Sequence, residues 1–192
     1  MGLCVYHRLL PESLSNCYLV YHESNGSAVL VNPGSFDVSL LRAVESRKLT
    51  VDAVLITNSR EKHTGGIPTV YRVYNPPVYL ARPEDAPWRG VMVEDGTDFT
   101  VGALEVHTVA VPSLSMDSML YVIENVAFVG DLLGAGTIFE DVDAFGRDYL
   151  VRQIRERVLP LHADTVILPS HGPPTTVGIE AQTNPFLQQE HP

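Results

Sequence analysis

Apolar positions along the chain fall first into short β-type runs and later into helical spacing. Residues 1–10 are apolar except where His7 and Arg8 interrupt, and read as an opening strand. Residues 17–20 and 28–31 form two more β-rich runs. The Ser24-Asn25-Gly26-Ser27 stretch between them carries the Asn-Gly signal of a hairpin. Asn32-Pro33-Gly34 breaks the third strand, and Ser35 stands where it can cap a helix reaching about Lys48, with Val38, Leu41 and Val44 on one face. Residues 51–57 read as a short apolar strand of the kind covered on both faces. A polar segment, Gly65-Gly66 and a short helix follow. Residues 78–81 read as strand, 82–96 as a Pro- and acid-rich loop, and 98–124 as strands separated by a loop around 112–117. Residues 126–129 are another apolar strand, ending at Gly130-Asp131. Tyr149, Leu150, Ile154 and Val158 recur at helical spacing through 144–161, with Arg147, Arg152, Arg155 and Arg157 mostly outward. Residues 165–168 are the last strand, before Pro169-Ser170-His171-Gly172 and a Pro-rich turn into a short tail. Two packed sheets with helices outside, an α+β arrangement, fit this order.

The 192 residues suit one domain over 1–192. No internal repeat or low-complexity tract divides them. No apolar run approaches the roughly 18 residues needed to cross a bilayer, so no membrane association is expected. The first ten residues lack a small-residue cleavage site, and Tyr6 stands where a myristoylation signal after Gly2 requires Ser or Thr. The formal net charge of -10 repels a phosphate backbone, and no run of Lys and Arg offsets it, which argues against a nucleic-acid partner. The two cysteines, Cys4 and Cys17, read as reduced thiols in a cytoplasmic protein.

The chemistry concentrates in Thr57-Asn58-Ser59-Arg60-Glu61-Lys62-His63-Thr64-Gly65-Gly66, where an apolar strand runs into a polar loop and a Gly-Gly turn. This frame resembles the T-H-x-H-x-D-H-x-G-G motif of the metallo-β-lactamase superfamily. Other segments agree in order and spacing. Asn16 to Val20 resembles N-x-Y-L-V. Val31-Asn32-Pro33-Gly34 resembles I-D-P-G, with Asn32 in the Asp place. The stretch from Ser118 to Asp131 resembles S-x-x-Y-x…-F-x-G-D, and Leu168-Pro169-Ser170-His171-Gly172 resembles L-P-G-H-G. The tail from Thr175 through Leu187 is similar to the glyoxalase-II-like branch. The resemblance covers about nine tenths of the chain and implies a four-layer αββα sandwich.

It also implies which residues would have held two metal ions. The family's first ion is held by three His, whose places hold Asn58, Arg60 and Leu114. The second is held by an Asp, a His, a bridging Asp and a last His. Their places hold Lys62, His63, Asp131 and His171. An Arg stays protonated and cannot ligate, and a Lys ligates only after losing its proton. Two fixed cations would repel a dication and instead neutralise Asp131. No cofactor is therefore expected, and without a metal-bound hydroxide catalysis is not expected either. The residues Asn58, Arg60, Lys62, His63, Asp131 and His171 are expected to line a cleft suited to a small anionic ligand. Two alternatives stay open. One is a mononuclear hydrolase holding zinc or iron on His63, Asp131 and His171 and cleaving a thioester or ester. The other is a structural subunit of a homo- or hetero-complex. No G-x-S-x-G elbow points to a nucleophilic serine. Ser170 precedes His171 directly, and adjacent residues at a strand end point apart. His107 reads as a half-buried strand residue, His22 as exposed, and Trp88 as part of a cleft wall or an interface.

Overall fold

The structure is a computed structural model and describes residues 2–24, 26–83, 88–112, 116–138 and 144–188. The elements run β1 (Leu3–Leu10), β2 (Ser15–His22), β3 (Ser27–Val31), α1 (Val38–Ser46), β4 (Thr50–Leu55), α2 (Glu61–Thr64), α3 (Ile67–Tyr74), β5 (Val78–Leu80), β6 (Gly90–Met92) and β7 (Asp98–Val101). They continue with β8 (Leu104–Ala110), β9 (Met119–Ile123), β10 (Val126–Gly130), β11 (Leu133–Gly134), β12 (Thr137–Ile138), α4 (Ala144–Arg157), β13 (Val166–Pro169), β14 (Thr175–Thr176), α5 (Val177–Thr183) and α6 (Pro185–Gln188).

Two six-stranded sheets carry the architecture, one ordered β1-β2-β3-β4-β5-β6 and the other β14-β13-β10-β9-β8-β7. Strands β3 to β6 run parallel, as do β10 and β13. Parallel strands need covered crossovers, and their near-continuous apolar sequences reflect burial on both faces. Three apolar clusters separate the layers. Tyr18, Leu55, Tyr121 and Phe128 belong to the one between the sheets. Leu40, Val44, Ile67 and Val70 pack helices α1 and α3 on the outside of the first sheet. Leu150, Ile154 and Val158 pack α4 on the outside of the second, where Leu187 of α6 joins them. The expected αββα sandwich is thus present, with helices α1 and α3 on one side and α4 to α6 on the other.

Several local expectations change. Helix α1 is capped by Asp37, whose side chain accepts from the Leu40 N–H, and not by Ser35. The later start rotates the buried face to Leu40, Ala43 and Val44 and leaves Val38 exposed. The stretch expected as loop over 82–96 contains β6, whose three residues are too few to display a period. On α4, Arg155 donates to the Leu187 carbonyl (2.9 Å) and so joins the packing of α6. Trp88 packs against the cluster beneath α1 and α3 instead of walling a cleft. His107 is exposed and paired with Asp98 at 2.7 Å, whereas His22 is partly buried and paired with Glu124 at 3.1 Å. Both cysteines are free: Cys17 is buried opposite Arg8, and Cys4 is only partly covered. The Asn25 part of the expected hairpin turn lies outside the described residues. Among those residues no helix is long and apolar enough to cross a membrane.

Candidate functional site

Strands β4, β10 and β13 all end at the same rim of the sandwich, and each delivers part of one side-chain cluster. Beyond β4 the chain passes Thr57 and Asn58 into α2, which carries Lys62 and His63. Beyond β10 comes Asp131, and beyond β13 come Ser170 and His171. Crevices at the carboxyl ends of parallel strands are where α/β sheets commonly bind ligands.

Close backbone packing seats these loops. A Cβ on Gly34 would strike the Lys62 carbonyl, and one on Gly66 would strike the Pro33 carbonyl, which instead accepts from the Gly66 N–H at 2.7 Å. The Asn32-Pro33-Gly34 turn can therefore lie directly against the α2 loop. Gly130 has φ +60° and leaves no room for a Cβ beside Thr57, so a glycine is required where β10 turns into Asp131. Asn32 ties the three loops together. Its amide donates to Thr57 Oγ1 (2.9 Å) and Ser170 Oγ (3.1 Å), and its carbonyl accepts from the Thr57 N–H (3.0 Å). Ser170 is buried in that bracing, which removes it as a nucleophile.

Asp131 is the hub, with its side chain 2% exposed. Its Oδ2 accepts from Lys62 Nζ at 3.0 Å and lies 3.4 Å from an Arg60 guanidinium nitrogen. Asn58 Nδ2 donates to the same oxygen at 3.3 Å. Oδ1 lies 3.4 Å from His63 Nε2 and 3.6 Å from His171 Nε2. Burial alone would raise the Asp131 carboxyl, but the adjacent His63 and the Lys62 ammonium outweigh it and hold the group well below the usual carboxylate range. The carboxylate is held in its charged form by these neighbours.

His171 has a defined tautomer. Its Nδ1 lies 2.9 Å from the Leu14 carbonyl, which can only accept, so Nδ1 carries the proton. Its Nε2 lies 2.8 Å from Lys62 Nζ, an ammonium that can only donate, so Nε2 presents its lone pair. Burial, with the Lys62 charge acting in the same direction, holds this imidazole below its ordinary pKa and keeps it neutral. Lys62 Nζ therefore stands between Asp131 Oδ2 and His171 Nε2, donating to both.

Of the expected site residues, Asn58, Arg60, Lys62, His63, Asp131 and His171 meet here, while Leu114 lies outside the described residues. Leu14 and Arg82 went unnoticed in the sequence. Leu14 has a left-handed backbone (φ 50°) and a well-exposed side chain, and its carbonyl orients His171. Arg82 lines a cavity of about 330 Å³ beside the cluster with Ser59, Met116 and Asp117. A single Arg in a loop and a leucine in a turn carry no residue-type signal for either role.

The chain belongs to the metallo-beta-lactamase superfamily, whose profile matches residues 10–171. It is 31% identical to an uncharacterized protein of Mycobacterium leprae, over 90% of this chain and 93% of that one. It is likewise 31% identical to a hydroxyacylglutathione hydrolase of Photobacterium profundum, over 70% of this chain and 55% of the enzyme. Among solved structures it superposes on TTHA1623 in a di-iron-bound form with a TM-score of 0.80 and 27% identity, covering 95% of this chain and 100% of that one.

A two-ion centre does not fit the residues present. Asn58 and Arg60 offer no imidazole, and the Asn58 amide is turned to donate to Asp131. Among the described residues no three His, Cys, Asp or Glu side chains are grouped to hold an ion. One feature points the other way: His63 Nε2 and Asp131 Oδ1 are buried, face each other, and lack hydrogen-bond partners. Against it, an ion there would sit within a few ångströms of two cations. Each repulsion is worth several kcal/mol at an effective dielectric of about 20.

Proposed function

We propose that this protein is a non-catalytic member of its superfamily in which Arg60 and Lys62 neutralise Asp131, leaving a cleft that binds a small anion. The observation that carries this reading is the Lys62 ammonium shared between Asp131 Oδ2 at 3.0 Å and His171 Nε2 at 2.8 Å. Two of its three N–H donors are used, and the third remains for a ligand. The Arg60 side chain is 40% exposed and touches Asp131 through one nitrogen, so part of its planar fork is accessible to a ligand. A guanidinium fork beside an ammonium suits a carboxylate or a phosphate. No metal-bound water is available in this reading. His171 is a weak substitute as a base, because its free lone pair is committed to Lys62.

The test is a thermal shift with inorganic phosphate and acetate. A ligand held at about a hundred times its Kd stabilises by about 2.7 kcal/mol, which raises Tm by about 5 °C or more in a chain this size. The wild type should show that rise, and Arg60→Gln should lose most of it while folding normally. An equal response of both proteins, or of neither, would refute the anion site.

A second reading, a mononuclear hydrolase on His63, Asp131 and His171 with zinc or iron, draws on the two partnerless buried atoms. It requires Lys62 to leave Asp131, and stoichiometric metal in the purified wild type would favour it.

A further inference from the structure

We infer that Lys62 is a tethered plug: its ammonium, closer to Asp131 than the Arg60 guanidinium is, forms the main barrier to a divalent cation beside His63, Asp131 and His171. The inference rests on the proposed neutralisation of Asp131 and goes further by assigning most of the exclusion to one residue. Zinc held at 2.0–2.1 Å by nitrogen and oxygen donors in a tetrahedron sets those donors about 3.3–3.4 Å apart. The His63 Nε2–Asp131 Oδ1 separation is 3.4 Å and the His171 Nε2–Asp131 Oδ1 separation is 3.6 Å. Two edges of a coordination tetrahedron thus stand near their working length. His63 Nε2 and Asp131 Oδ1 have no hydrogen-bond partner to lose, and the His171 lone pair is occupied by Lys62 itself. The supporting contacts do not depend on the ammonium. Leu14 orients His171, Thr57 Oγ1 lies 3.5 Å from His63 Nδ1, and Asn32 braces Thr57 and Ser170.

Charge argues the same way. Arg60, Lys62 and Asp131 together leave the cluster one unit positive. Exchanging Lys62 for a carboxylate leaves it one unit negative and adds a fourth donor in the same loop. Arg60, already 40% exposed, has room to turn outward.

The experiment is equilibrium dialysis against zinc followed by metal analysis, on the wild type, Lys62→Asp and Lys62→Asp/His171→Ala. Circular dichroism and gel filtration verify that each is folded. Lys62→Asp should take up about one equivalent of zinc and gain several degrees in Tm. The wild type should hold less than about a tenth of an equivalent, and the double variant should bind more weakly than Lys62→Asp. A folded Lys62→Asp that takes up no zinc overturns the plug and leaves the anion-site reading standing. Zinc on the wild type at about one equivalent overturns both. Should Lys62→Asp fail to fold, Lys62→Met removes the charge while keeping the stem. It should then bind zinc more weakly through the three remaining donors, and its failure to bind any overturns the inference.

Discussion

Asp131 shows how a single side chain can govern a site. Its carboxylate is buried with two cations and two imidazoles around it. Removing one partner of a buried pair typically costs about 3–5 kcal/mol, because the other charge is left uncompensated. Here the cations are 25% and 40% exposed and can recover water, so Asp131→Ala should cost about 2–3 kcal/mol. Asp164→Ala, at a side chain 91% exposed, should stay within about 0.5 kcal/mol of the parent. Urea denaturation of the three proteins compares them directly. Equal midpoints would remove the claim that Asp131 is held by protein cations. The substitutions at 58, 60 and 62 were legible from residue type alone, because Arg and Asn cannot do what imidazole does. The shared placement of Lys62 between Asp131 and His171 was not legible, since spacing in sequence says nothing about which oxygen an ammonium reaches.

Among the elements, α1 illustrates what a cap decides. Asp37 accepts from the Leu40 N–H at 2.8 Å and pairs with Arg8 at 2.7 Å. Asp37→Ala should cost about 1 kcal/mol, and Asp37→Asn, which can still cap, should cost less. The Leu40 N–H bond, together with Arg8, holds the Asp37 carboxyl below its ordinary value. The folded protein therefore binds a proton there less readily than the unfolded chain. Its stabilisation is complete above the unfolded pKa of about 3.9 and fades as pH falls below that. Asp37→Asn should flatten the loss of stability between about pH 4 and 3, and an unchanged slope would mean the charge contributes nothing. In the sequence, Ser35 stands as the cap, with Val38, Leu41 and Val44 on one face. Packing under the sheet chose Leu40, Ala43 and Val44 instead. Strands β6, β11, β12 and β14 have two or three residues each. Two or three residues are too few to display a period, so no local pattern announces them. The tail was legible only as a resemblance. Its fully buried Glu180 accepts from the Gly136 N–H (3.0 Å), the Thr175 hydroxyl (2.6 Å) and the Asn184 amide (2.7 Å). This ties α5 to the turn that follows Asp131 and to the strand that follows His171.

For the whole molecule, two sheets place three strand ends at one rim, and the loops beyond them meet around a single carboxylate. That geometry belongs to the superfamily. The cations within it belong to this chain, whose overall net charge is -10. The sandwich was legible because apolar runs of the right length alternated with turns in a familiar order. The chemistry of the rim was legible only as a set of altered residues, since their contacts join segments far apart in sequence, 71 positions for Arg60 and Asp131 and 109 for Lys62 and His171. The most direct test is a crystal structure with anomalous scattering, from protein expressed in medium supplemented with zinc, iron and manganese. The account predicts Lys62 Nζ within hydrogen-bond distance of Asp131 and His171, with no anomalous peak between them. A strong peak bonded to the imidazoles of His63 and His171, with Lys62 and Arg60 turned to solvent, would contradict it.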